Sequence, residues 1–226
     1  MFPGVKSICF LTCLLGAAQA WAGIVVGGTR VIYDSGKKEA SISVKNPEKS
    51  MPYLIQSWVE NEATADAGKP PFLITPPLFR LDAGQENMLR IIRTGGQLPE
   101  DKESLFWLNI KSIPASEKTN NNQLLISVKT RIKLIYRPSG LQGNAAEAYQ
   151  ALTFRRQGNQ LQVDNPTPYY VAFYNVKVGS LEIKEAGTVV PYGSRSWAIP
   201  AGATGAVSWR AINDYGGITP AATKSL

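Results

Sequence analysis

Residues 120–140, NNNQLLISVKTRIKLIYRPSG, alternate along most of their length. Leu124, Ile126, Val128, Thr130, Ile132, Leu134 and Tyr136 take the even positions, while Lys129, Arg131, Lys133 and Arg137 take odd ones. Successive strand side chains point to opposite faces, so the pattern predicts a strand with one apolar and one basic face. A strand running from 124 to 137 is longer than the usual strand of roughly 3–10 residues. The excess implies a strand that extends beyond its own sheet and leaves an edge to which another chain can add.

Upstream, from Gly23 onward, shorter alternating runs such as TRVIYDSG, ASISVKNPEK, PYLIQSWVENE, FLITPPLFRLDAG and SLFWLNIKSIP are separated by Pro, Gly, Asn and Asp. This spacing predicts about seven strands up to Arg137, packed as a β-sandwich. After RPSGLQGN, the polar segment AAEAYQALTF leads into a second series that includes RRQGNQLQVDNP, YYVAFYNVKVG and GAVSWRAINDYGG. Pro138, Gly140 and Gly143 interrupt strands and mark a boundary. The expected organisation is all-β with two domains, 23–139 and 144–226, joined by a linker at 140–143.

With 226 residues and 44% hydrophobic content the chain can bury a substantial core. Met1 to Ala22 reads as a signal peptide: Lys6 near the start, the apolar run ICFLTCLLGAA, and small residues before a cut after Ala22 or, alternatively, Ala20. Cys9 and Cys13 both lie in that segment, so the mature chain is expected to lack a disulfide although it is exported to an oxidising compartment. Removing Lys6 leaves 23 basic against 17 acidic residues, a net +6, which suits anionic partners but is equally the mark of a solvated basic surface. There are no histidines. Histidine-dependent triads and ordinary His- or Cys-ligated metal sites are therefore excluded from the mature chain. Neither a Walker A sequence nor GxGxxG occurs, and no nucleic-acid partner, ATP, metal or other cofactor is expected.

TRVIYD at 29–34, PYLIQSWVEN at 52–61, TPPLFRLDAG at 75–84, LPEDKESLFWLNIKSIP at 98–114, KTRIKLIYRP at 129–138, VDNPTPYYVAF at 163–173 and INDYGG at 212–217 run in order through nearly the whole mature chain. Together they resemble the PapD-like periplasmic pilus-assembly chaperones. The resemblance implies a boomerang of two immunoglobulin-like β-sandwiches with a cleft between them. It implies a non-enzymatic periplasmic protein that captures pilin subunits, completes them with a donor strand and passes them to an outer-membrane usher. Arg30 and Lys133 would bind the subunit's C-terminal carboxylate at the foot of the cleft. Leu124, Ile126, Val128 and Thr130 would be the donor residues, and Glu103, Arg137 and Asp214 an interdomain charged cluster. The short polar connection PASEKTNNN resembles the subgroup that assembles rod-like pili, and the free chaperone has the option of self-association to cover its edge.

On a regular strand Leu124 and Lys133 face opposite ways, so a bulge or edge twist would be needed to bring both to one side of a partner. The alternative from another class is a secreted β-sandwich that binds an anionic glycan or surface. Trp58, Trp107, Trp197 and Trp209 could stack on sugars, but each sits in an alternating run and is expected in a core. Ser127 and Lys129 share a strand face, yet nothing in their spacing marks a catalytic dyad.

Overall fold

The computed structural model describes residues 23–62, 68–116 and 124–226. The signal segment, residues 120–123 of the long alternating run and residues 117–122 of the polar connection lie outside them. The first half forms β1 (Val25–Val26), β2 (Arg30–Asp34), β3 (Glu39–Lys45), β4 (Tyr53–Asn61), β5 (Phe72–Thr75), β6 (Leu78–Leu81), β7 (Glu86–Arg93), β8 (Ser104–Pro114) and β9 (Val128–Arg137). They make two sheets, in the orders β1-β3-β7-β5 and β2-β9-β8-β4-β6. These are two strands more than the pattern suggested. One is β1; the other arises because FLITPPLFRLDAG divides at Pro76-Pro77, where no ladder N–H is available, sending β5 and β6 to different sheets. Val44, Ile55, Leu89, Ile91, Leu108 and Leu134 are fully buried between the sheets.

The second half opens with a 3-10 turn at Ala148–Ala151, followed by β10 (Thr153–Gln157), β11 (Gln160–Asp164), β12 (Val171–Val178), β13 (Leu181–Glu182), β14 (Thr188–Val189), β15 (Ser194–Ala198), β16 (Val207–Ala211) and β17 (Ala222–Lys224). Its sheets are β10-β11-β15 and β13-β12-β16-β17, with β14 beside β12. Leu161, Val163, Val176, Trp197 and Trp209 fill its core. The two cores share no residue, so each half is a β-sandwich with its own interior.

Strand β9 carries Val128, Thr130, Lys133 and Arg137. It pairs with β8 in unbroken antiparallel register from Ser104↔Tyr136 to Ser112↔Val128, with no bulge. The ladder stops at Val128, so the strand is shorter than the alternation predicted. The reason lies in its neighbour: β8 ends two residues after Ser112, at Pro114, which has no N–H to offer, and the Ser112 hydroxyl donates to the Val128 carbonyl at 3.3 Å. The even face consequently changes character along its length. Leu124, Ile126 and Val128 are 86, 66 and 52% exposed, Thr130 is intermediate, and Ile132 and Leu134 are buried.

On its other side β9 meets β2 in parallel, but only from Arg30↔Lys133 to Asp34↔Arg137. Before Arg30 the chain crosses to the opposite sheet to form β1. Gly27 permits the crossing: its N–H donates to the Ser43 carbonyl at 2.9 Å, and a Cβ there would lie 2.3 Å from Ser43 Oγ. Among the described residues, Val128–Ile132 therefore pair on one side only, and the other edge is free.

Candidate functional site

The free edge of β9 ends at two cations. The parallel register sets Arg30 beside Lys133, and their shared parity turns both to the sheet's outer face, away from Val31 and Leu134 in the core. Farther along the same face Leu105 and Ile135, which oppose each other, are buried although they point outward. The second domain covers them: Ile135 shares a small enclosed space with Ala145, Tyr170, Val171 and Ile212. Arg30 and Lys133 thus sit where the covered part of the face gives way to the open part, in a cleft between the domains.

Both cations are half-buried, and among the described residues neither makes an ion pair. Arg30 donates through Nη1 to the Ile212 carbonyl at 3.1 Å, while its buried Nε has no hydrogen-bond partner among the described residues. Lys133 donates through Nζ to the Thr188 hydroxyl of the second domain. Burial, and then the charge of Arg30, push Lys133 below the ordinary lysine range. Burial likewise lowers Arg30, opposed by Asp214. Two desolvated like charges raise each other's cost, and a carboxylate seated between them would relieve it with charge-assisted hydrogen bonds.

Glu103, Arg137 and Asp214 come together at the domain junction. Glu103 precedes β8 and Arg137 ends β9, so the register that pairs Ser104 with Tyr136 brings them side by side. Arg137 donates from Nε to Glu103 at 2.6 Å and from Nη1 and Nη2 to the two oxygens of Asp214 at 2.7 and 2.9 Å. The buried Glu103 carboxylate also accepts the Tyr170 N–H at 2.7 Å, and its own N–H donates to the Pro168 carbonyl at 2.9 Å. Burial pulls the Arg137 pKa down, but the two carboxylates more than offset that and hold it above the usual value. Asp214 is aimed by its loop: the Asn213 side chain accepts the N–H groups of Tyr215 and Gly217 at 3.0 and 2.8 Å. Gly216, at φ +83°, lets that loop press on Thr29, next to Arg30; a Cβ there would lie 2.6 Å from Thr29 Oγ1.

The structure corrects the reading of the tryptophans in part. Trp197 and Trp209 are core, as expected, but Trp58 and Trp107 are half-buried on the outer face of the β9 sheet. Arg131 covers Trp107 and Lys129 covers Trp58, so neither ring is an open stacking platform. From Val128 to Lys133 the register is unbroken, so Val128 and Thr130 face opposite to Lys133 with no bulge between them. Sequence reasoning missed Thr188 and Tyr170. Thr188 lies on a two-residue strand and Tyr170 contributes a backbone N–H, and neither feature leaves a sequence pattern.

Comparison with known proteins accounts for both halves. Residues 23–142 match the family model described as pili and flagellar-assembly chaperone, PapD N-terminal domain, and residues 147–223 match that described as pili assembly chaperone PapD, C-terminal domain. The probable fimbrial chaperone LpfB of Escherichia coli O157:H7 is 44% identical over 221 residues, covering 96% of this chain and 94% of the relative. The chaperone protein FimC of Escherichia coli K12 is 41% identical over 222 residues, covering 97% and 91%. Among solved structures, that of Salmonella enterica SafA pilin in complex with the SafB chaperone superposes with a TM-score of 0.83 at 38% identity, covering 92% of this chain and 99% of the matched one. With both of its β-sandwiches matched and relatives above 40% identical along almost its whole length, the chain belongs to the PapD family of pilus-assembly chaperones.

Proposed function

We propose that this chain is a periplasmic chaperone that captures pilin subunits by donor-strand complementation, caps them and delivers them to an outer-membrane usher, without catalytic turnover. The observation that carries the reading is the free edge of β9 running directly into the Arg30–Lys133 pair. In this reading the subunit's C-terminal carboxylate binds between the two cations, Arg30 as a planar fork and Lys133 as a compact charge. A carboxylate held at Lys133, with the preceding residues lying toward Val128, requires the subunit's last strand to run parallel to β9 and in line with β2. Such a strand lies in the plane of the sheet, so its end reaches Lys133 on the outer face while Leu124, Ile126, Val128 and Thr130 fill the subunit's open groove from the other. The opposite parities are then compatible without a bulge. Chaperone–pilin pairing of this kind is a recognised form of β-strand addition.

The same proposal includes cleavage of the signal peptide and the division into domains 23–139 and 144–226 about a linker at 140–143, supported by the separate cores. Glu103, Arg137 and Asp214 set the angle between the domains. Periplasmic co-expression of the tagged chain with a pilin encoded beside it tests the reading. A one-to-one complex is expected, and failure to retain any such pilin contradicts it.

A further inference from the structure

On the stretch where the edge of β9 is free, its outer face carries Lys129 and Arg131. Charged side chains, lysine above all, are what natural sheets place on exposed edges to stop another strand from adding. Here neither cation stands over the edge. The Arg131 guanidinium lies 4.3 Å from the centre of the Trp107 ring on β8 and 3.6 Å from the Glu60 carboxylate on β4. Lys129 Nζ lies 5.8 Å from the centre of the Trp58 ring, also on β4. Trp58 is fixed in turn by donating its Nε1–H to Glu60 at 2.8 Å. The register gives the direction of lean. Lys129 faces Lys111 across the ladder, so reaching Trp58 takes it over β8 altogether, and Arg131 likewise points over β8. Both turn away from the edge that β2 leaves uncovered.

Trp58 and Trp107 take no part in the core beneath them. Large aromatic rings on an outward face call for another explanation, and the cations they hold supply one. We propose that Trp58, Glu60 and Trp107 are positioning residues that draw Lys129 and Arg131 back from the edge of β9 and so keep it open to the incoming subunit strand. This rests on the capture reading above. Without the rings, the same two side chains would be free to swing into the lane that a neighbouring strand must occupy, about 4.7–4.9 Å from β9, and the donor edge would acquire the protection that ordinary edges have.

The test is the rate at which the chaperone captures the pilin encoded beside it, the pilin being diluted from denaturant. Wild type is compared with Trp107→Leu, Glu60→Gln, Arg131→Ser and the double variant Trp107→Leu/Arg131→Ser. Trp107→Leu is expected to slow capture by about two- to fivefold, the range corresponding to an exposed cation–π contact. Glu60→Gln slows it less, and the double variant returns to the wild-type rate because the freed cation is gone. Slowing that persists in the double variant makes Trp107 a packing residue and overturns the proposal, as does an unchanged rate in Trp107→Leu. Should thermal melts show that Trp107→Leu does not fold, Glu60→Gln with and without Arg131→Ser gives the same comparison on more exposed side chains. A wild-type chain that captures nothing overturns the capture reading instead.

Discussion

Lys133 is a side chain unfavourable for the fold that the proposed function makes favourable for binding. Its pKa in the folded chain lies below the ordinary 10.5 because of burial and then the nearby Arg30. The charged form therefore costs stability below the folded pKa, and the cost disappears as pH rises past the unfolded value. A bound carboxylate reverses that preference. Subunit affinity is accordingly expected to fall as pH rises into the alkaline range, and to begin falling at a lower pH than an unperturbed lysine would give. Titrating complex formation against pH checks this, with Lys133→Arg as control: a guanidinium keeps its charge, so its alkaline decline should be absent. An identical decline in both proteins would place the titrating group elsewhere.

At the scale of elements, β9 shows what alternation can reveal and where it fails. Its two faces and the basic parity of Lys129, Arg131 and Lys133 were legible in the sequence, because the pleat makes face assignment a matter of counting. Its starting point was not, because the alternation continues through Leu124 while the ladder depends on where β8 ends, at Pro114. Trp107 misled for a related reason. In β8 both faces are largely apolar, so the run SLFWLNIKSIP gives no clear indication of which residues point inward. The interdomain contacts of Thr188 and Tyr170 were invisible to any local pattern; only the family resemblance pointed to that junction, through Glu103, Arg137 and Asp214. The exposed Ile126 gives the element-level test. Ile126→Asp places a charge where, in the proposed function, the donor face enters an apolar groove, while the exposed site lies outside the chain's own core. Complex formation is expected to be lost with thermal stability unchanged; undiminished capture would move the donor face off this segment.

The whole molecule is two sandwiches, and at their junction Arg137 joins the buried Glu103 to Asp214. Arg137→Ala leaves the Glu103 carboxylate buried without its cation, a loss of about 3–5 kcal/mol by the usual cost of breaking a buried pair, measurable by urea unfolding. Asp214→Asn removes a more exposed partner and is expected to cost about 1 kcal/mol or less. Equal effects would mean that Glu103 does not rely on Arg137. In the proposed function the cluster sets the cleft, and the cleft places the two cations at the end of the free edge of β9. Whether those cations hold the subunit therefore decides the proposed function. The most direct measurement is the amount of pilin co-purified with wild-type chaperone, Arg30→Ala and Lys133→Ala at equal chaperone yield and equal melting temperature. A one-to-one complex is expected for wild type, with its loss or near loss in both variants; wild-type capture by both would contradict an anchoring role for the two cations.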